Sequence, residues 1–371
     1  MKCKHIYFVH LLNDNSGSPR VLCDMINSLS LHGDEYKKTI LTSGHKGFLS
    51  NENAKLIKFW YPLFKNKLLK LSSYLFSQIM IFFMLSAHLI FSRLRNEKTI
   101  VVINTLLPFG GGLAAKLFAN NTVYYIHETT IRPILLRRFL LLVADWCSNS
   151  VLFVSNYVAE NSTVERASKK VIYNCLRSDF SSVSISDQRS KFNSKTIMFV
   201  GSLKIYKGIE QFLLLSSRLV EFNFHAVLNC EEYELKEFIS GRILPKNLQF
   251  SVRPNRIDKL YEKASVVANL SIPELCVETF GLSLLEGMSF ACPVIAPPVG
   301  GPTELVDETV AILSDSRDIE RIIDFIEYLY SDFSIWQLYS NRAWERSKKF
   351  SFEIYSKNIN IFFKQQFDII K

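Results

Sequence analysis

Short apolar runs alternate with helical stretches along the 371 residues, and the alternation starts, stops and starts again. In the first half HIYFVHLL, KTILTS, KLIKFW, TIVVINTL, NTVYYIHE and SVLFVS read as strands, and in the second TIMFVGSL, NFHAVLNC, LQFSVRP, SVVANLS, CPVIAPP and VAIL do. Fully apolar strands separated by helices belong to parallel sheets covered on both faces, because the crossover helices must bury the sheet on each side. Between the two series lies NCLRSDFSSVSISDQRSKFNSK from Asn174 to Lys195, polar, serine-rich and without an apolar period, which reads as a linker. The expected architecture is therefore α/β, with two Rossmann-like doubly wound domains facing across a cleft. Their bounds are set at 1–180 and 181–349, with a closing aromatic-rich helix over 350–371 that could pack on either domain. With 48% hydrophobic and 21% charged residues, the chain has enough apolar surface for two cores, which excludes wholesale disorder.

The chemistry concentrates between Pro273 and Val306, in PELCVETFGLSLLEGMSFACPVIAPPVGGPTELV. A strand enters a loop holding Glu274 and Glu278, Thr279-Phe280-Gly281 opens a helix, and a second apolar strand ends in Gly300-Gly301. Amides at a helix start, together with the positive end of the helix dipole, favour a phosphate above Gly281. Glu278 stands at the rim of that position. Glu286, about one and a half turns further along, could take two hydrogen bonds from a vicinal diol such as a ribose. A carboxylate near a helix N-terminus often does no more than stabilise the helix, which accounts for Glu278 but not for Glu286.

The run VETFGLSLLEGMSFACPVIAPPVGGPTE resembles the signature of glycosyltransferase family 4, usually EGFGLxxLEAMAxGxPVIAxxxGGxxE. The resemblance implies a GT-B fold and a retaining enzyme acting on a nucleotide diphosphate sugar. It places Glu278 on donor-sugar hydroxyls, the amides of Phe280, Gly281 and Leu282 on the distal phosphate, and Glu286 on the ribose. FVGSLKIYKGIEQFL from Phe199 is similar to the family's VGRLxxxKGxxxLL, so Lys207 would neutralise the diphosphate. The family's arginine five residues earlier is replaced here by Ser202; Lys204, Arg253 and Arg256 are candidate substitutes, Arg253 because it ends the strand LQFSV. In the first half, VYYIHETT resembles the strand-end histidine that faces the transferring sugar, which makes His127 a catalytic candidate beside Lys207 and Glu278. His10 and the loop from Asn15 to Arg20 stand where the family often has a Gly-Gly phosphate and acceptor loop, giving Gly17 and Arg20 that role, although Pro19 equally suits a plain helix entry. Gly110-Gly111-Gly112 reads as a tight turn.

Charge is unevenly placed: residues 1–180 hold 22 Lys/Arg against 11 Asp/Glu, and residues 181–371 hold 22 against 24. A basic half suits nucleic acid, an anionic membrane surface or a phosphorylated small molecule. No nucleic-acid-reading motif accompanies it, so nucleic acid is not expected. Leu71 to Ser92 carries no Asp, Glu, Lys or Arg and is flanked by Lys65, Lys67, Lys70, Arg93 and Arg95. It could span a bilayer, lie in its interface or be buried in the fold. With the helix of Ile131–Trp146 it suggests a lipid-linked acceptor, and resemblance to bacterial surface-polysaccharide enzymes implies an oligosaccharide of the O-antigen or capsule type on a lipid diphosphate. No signal-peptide pattern is read at Met1 to Phe8, and the seven cysteines show no CxxC or Cys/His ligand spacing. A cytoplasmic protein, peripheral on the inner face of the cell membrane, is expected. No DxD motif occurs, so metal-independent transfer without a cofactor is expected. A sugar-nucleotide epimerase or a non-catalytic sugar-nucleotide-binding protein of the same fold is the competing reading.

Overall fold

The computed structural model describes residues 3–29, 36–51, 54–180 and 187–370. The chain divides into two compact units, residues 1–173 with 353–371, and 174–352. The first division lies seven residues before the expected end at 180 and the second three after the expected end at 349, and residues 181–186 of the expected linker lie outside the described residues.

The first unit is built on a parallel sheet of β1 (Lys4–Val9), β2 (Tyr36–Ser43), β3 (Lys55–Phe59), β4 (Lys98–Asn104), β5 (Asn121–Ile126), β6 (Ser150–Phe153) and β7 (Ser168–Val171), in the order β3-β2-β1-β4-β5-β6-β7. Register places Val9 beside Leu41 on one side and Ile103 on the other, and Asn104 beside Tyr125. Past Lys98, the central strands β4, β5 and β6 are buried throughout, which is why they read as unbroken apolar runs. β7 escapes such a reading because SKKV is an edge strand with no apolar run. The crossovers carry α1 (Gly17–Ser28), α2 (Lys67–Leu94), α3 (Phe109–Phe118), α4 (Ile134–Cys147) and α5 (Asn156–Glu160). Gly110 serves packing rather than a turn: it lies inside α3, its amide donates to Gln78 Oε1 of α2 at 3.1 Å, and a Cβ there would strike the Gln78 backbone.

The second unit holds a parallel sheet of β8 (Thr196–Gly201), β9 (Asn223–Leu228), β10 (Leu248–Val252), β11 (Val266–Ala268), β12 (Val294–Ala296) and β13 (Ala311–Leu313), ordered β10-β9-β8-β11-β12-β13. Around it run α6 (Gln188–Ser194), α7 (Ile209–Arg218), α8 (Glu232–Ile239), α9 (Ile257–Lys263), α10 (Leu282–Ser289), α11 (Pro302–Leu305), α12 (Ile319–Ser331) and α13 (Phe333–Ser347). Part of the expected linker is thus a helix. Asp187 caps α6 through the amides of Arg189 and Ser190, and the buried Lys191 ammonium donates to the carbonyls of Tyr261 at 3.1 Å and Phe290 at 2.5 Å. An anchor made by a lysine and carbonyls leaves no apolar period to read.

The last helix, α14 (Phe352–Ile369), returns to the first unit. It buries Tyr355, Ile359, Phe363 and Phe367, and its Gln366 carbonyl oxygen accepts from Asn121 and Ser150 at 2.9 Å each.

Candidate functional site

Ligands of open parallel sheets collect beyond the carboxyl ends of the strands, where the strand order reverses. That point falls between β1 and β4 in the first unit and between β8 and β11 in the second. Polar side chains gather at both.

In the second unit β8 runs through Ser202 into a turn that ends at Lys207 and Gly208, and β11 runs into Asn269, Ser271 and the loop of Glu278. Lys207 Nζ donates to Glu278 Oε2 at 2.7 Å, with Asn269 Nδ2 and Ser271 Oγ on the same oxygen at 3.3 and 3.5 Å. Burial alone would neutralise each member. For Lys207 the carboxylate outweighs that burial and holds the ammonium above the usual lysine range, and for Glu278 the ammonium and its hydrogen bonds hold the carboxyl below the usual carboxylate range. Both stay charged, Glu278 Oε1 carries none of these bonds, and two further Lys207 N–H donors stay available to an anion.

Beside the pair, Gly281 (φ 101°) is the N-cap of α10, and no side chain caps that end. The amides of Leu282 and Ser283 therefore head the helix without partners in its own ladder, an anion cradle by construction. Phe280 contributes backbone only: its ring is buried and meets Phe350 edge-on at 5.8 Å. Gly300 (φ 88°) and Gly301 press against the Glu278 loop, with Gly301 N on Glu278 O at 3.0 Å. Glu286 is buried on α10 and its Oε2 accepts the hydroxyl of the fully buried Tyr261 at 2.9 Å, so a diol does not have both carboxylate oxygens to itself. The expected compensation for Ser202 is not brought to Lys207. Arg253 (φ 41°) ends the edge strand β10, beyond β9, and binds Asn229 at 2.8 Å and Glu231 at 2.6 Å. Arg256 is held by Asp258, and Lys204 is exposed.

In the first unit, Asn104 joins the ends of three adjacent strands. His127 Nε2 donates to Asn104 Oδ1 at 2.7 Å, while Asn104 Nδ2 donates to His10 Nδ1 at 2.9 Å and to Ser18 O at 3.1 Å. This network sets His127 as the Nε2–H tautomer and leaves Nδ1 as an acceptor. Burial, and then the neighbouring His10, drives the His127 pKa down to about 3; burial drives His10 to about 4. Both are neutral at physiological pH. Glu128 braces the strand ends, accepting from Leu106 N and His127 N at 3.1 Å each, and burial raises its carboxyl. Gly17 is exposed at the start of α1, whereas Arg20 turns along the helix to Asp24 at 3.3 Å. Asn104 and Asn269 were not singled out from sequence, yet both carry a signal: each is the polar residue that follows a fully apolar strand run.

Residues 184–347 match the family model of Glycosyl transferases group 1. The second unit is a glycosyl transferases group 1 domain. Over much the same length the chain is 26% identical to a sucrose synthase of Melioribacter roseus, across 42% of this chain and 18% of that one. It is also 26% identical to an uncharacterized glycosyltransferase of Haemophilus influenzae, across 44% and 47%. The chain thus spans less than half of either relative. Among solved structures, Anabaena HepE, determined with UDP and glucose and with UDP-glucose, superposes with a TM-score of 0.76 at 18% identity, over 97% of this chain and 99% of that one. At that identity the likeness is one of fold, and it extends beyond the group 1 domain: both units have the parallel-sheet, Rossmann-like fold of the GT-B structures. The stretch that binds the Lys207–Glu278 pair to the head of α10 lies wholly inside the group 1 domain.

Proposed function

We propose that this chain is a retaining glycosyltransferase that moves a hexose-type sugar from a nucleoside diphosphate onto a lipid-linked glycan, in the assembly of a surface polysaccharide. The observation that carries this reading is the charged Lys207–Glu278 pair beside the uncapped N-terminus of α10. A departing nucleoside diphosphate gathers negative charge, and an ammonium with N–H groups to spare next to a ring of backbone amides stabilises that charge as it develops. Glu278, its Oε2 fixed by Lys207, offers Oε1 to sugar hydroxyls. Glu286, steadied by Tyr261, is assigned the ribose, and His127 Nδ1 a hydroxyl of the transferring sugar. Retention follows from front-face attack in which the leaving phosphate takes the acceptor's proton, a course that requires no protein nucleophile and no metal. HepE's complexes with UDP and UDP-glucose make UDP the first nucleotide to try. The basic first 180 residues support a cytoplasmic protein working on the inner face of the cell membrane.

A thermal-shift panel of UDP, GDP, dTDP and CMP sugars tests the donor assignment. One nucleotide class should raise the Tm, EDTA should leave the shift unchanged, and Glu286→Ala should abolish it. No shift with any nucleotide removes the transferase reading, and an inverted anomer seen by NMR removes retention.

A further inference from the structure

α2 is built inside out. Its buried stripe mixes Ile81, Leu85 and Leu89 with Ser73, Ser77, Gln78 and Ser92, while Leu71, Leu75, Phe76, Ile79, Phe83 and Phe91 face outward, Ile79 at 55% and Phe83 at 65% exposure. A soluble helix places its polar residues the other way. The orientation is held by inward polar groups bonded inside the unit: Ser73 Oγ donates to Pro62 O at 2.8 Å, Ser92 Oγ to Glu97 at 2.6 Å, and Gln78 accepts from Gly110. Turning the leucines inward would strand those groups and drive α2 away from Gly110.

The outward face does not end with α2. Beneath the surface the buried Tyr74 meets Phe109 of α3, and Phe109 meets the exposed Phe139 of α4, edge-on at 6.0 and 5.2 Å, and α4 continues the apolar surface with Ile134, Leu135, Leu142 and Trp146, Leu135 at 72% exposure. Cations frame it: Lys65, Lys67 and Lys70 stand at one end of α2, Arg93 and Arg95 at the other, and no Asp or Glu occurs from Lys65 to Arg95. The apolar face of α2, a helix about 42 Å long with lysines and arginines at both ends, complements an anionic bilayer and repels a basic copy of itself. The buried stripe, fastened to α3, keeps α2 from crossing the membrane.

The two ends of α2 differ. In a crossover, the helix begins at the edge where the preceding strand ends, and the Tyr74 hydroxyl on Leu107 O at 2.8 Å places the first turns of α2 beside the exit of β4. α4 begins seven residues after His127. The exposed apolar surface therefore reaches the strand ends that carry His10, Asn104 and His127.

We infer that α2, α3 and α4 form an in-plane docking face for an anionic bilayer, oriented so that a lipid-linked acceptor presents its head group to His127 while its chain stays in the membrane. This rests on the acceptor being lipid-linked. The test is flotation of the full chain with vesicles of phosphatidylglycerol and phosphatidylcholine, for the wild type and the Ile79→Glu/Phe83→Glu variant. Wild type should float with anionic vesicles far more than with pure phosphatidylcholine, and the variant should lose roughly tenfold or more of that partitioning. Its affinity for nucleotide and its transfer to a short-chain, water-soluble acceptor should be unchanged. Equal flotation of variant and wild type overturns the docking face, as does a wild-type dimer in light scattering that the variant abolishes. Loss of nucleotide binding by wild type itself would instead overturn the transferase reading, so the two failures are distinct.

Discussion

His127, Asn104 and His10 make up one hydrogen-bonded line, and its proton inventory has a measurable consequence. Both rings are held neutral, with pKa values of about 3 and about 4 against an unfolded value near 6.5. Between pH 6.5 and about 4 the unfolded chain therefore binds protons that the folded unit refuses, so stability is fully present above pH 6.5 and declines as pH falls. By pH 5 the loss should be on the order of 1 to 2 kcal/mol per histidine. Urea unfolding at pH 7.5 and pH 5 reads it directly. The drop should be clearly smaller in the His10→Gln/His127→Gln double variant, and an equal drop in both proteins would contradict the assignment. His127 was legible in VYYIHETT, but its tautomer was not. The proton position follows from Asn104, which stands 23 residues away and meets the histidine only because β4 and β5 are neighbours.

At the scale of elements, the proposed donor site depends on how the loop before α10 is wedged against the turn after β12. Gly300 sits at φ 88°, where a Cβ costs about 1 to 2 kcal/mol in backbone strain and would also collide with the carbonyl of Glu278. Gly241, at φ 73°, carries the same backbone demand with open space around it. Gly300→Ala should therefore lower stability by about 2 kcal/mol or more and weaken nucleotide binding, because the loop that aims Glu278 must move. Gly241→Ala should show only the strain and bind nucleotide normally. Calorimetric titration with UDP and urea midpoints on both variants decide the matter, and equal nucleotide affinity in the two would refute the wedge. The glycines stood in plain view within the PVGGPTE run. Their partner did not, since the contact joins the end of one strand's loop to the start of another's.

At the scale of the molecule, the first unit is closed by the chain's far end. α14 brings Tyr355, Ile359, Phe362, Phe363 and Phe367 into that core, each burying apolar surface worth about 1.5 to 3 kcal/mol. Asn360 and Ser356 add hydrogen bonds to Ser28 O at 2.8 and 3.1 Å. The total, roughly 7 to 15 kcal/mol, is comparable to the whole margin of a domain. Deleting residues 353–371 should therefore unfold the first unit, seen as loss of one of two thermal transitions in calorimetry, while the group 1 domain keeps its own transition and its nucleotide response. Two transitions in the truncated protein would show that α14 is dispensable.

The sequence by itself determined what depends on neighbours along the chain. Among the described residues, apolar runs dictated twelve of the strands, most plainly the central ones, because a strand buried on both faces must be apolar throughout, and the Val277–Glu304 run dictated the loop and the helix start at Gly281, because both are local structures. The edge strand β7, the α6 anchor at Lys191 and the destination of α14 were decided by the tertiary structure, since each is a polar or ambiguous segment whose place is set by partners distant in sequence. The same holds for Arg253, a strand-end arginine by position, which the strand order carries away from Lys207 and hands to Glu231. It holds most of all for α2. Composition showed a helix apolar enough to cross a membrane, but which of its faces turns outward was decided by the hydrogen bonds that its serines and Gln78 could complete only inside the fold.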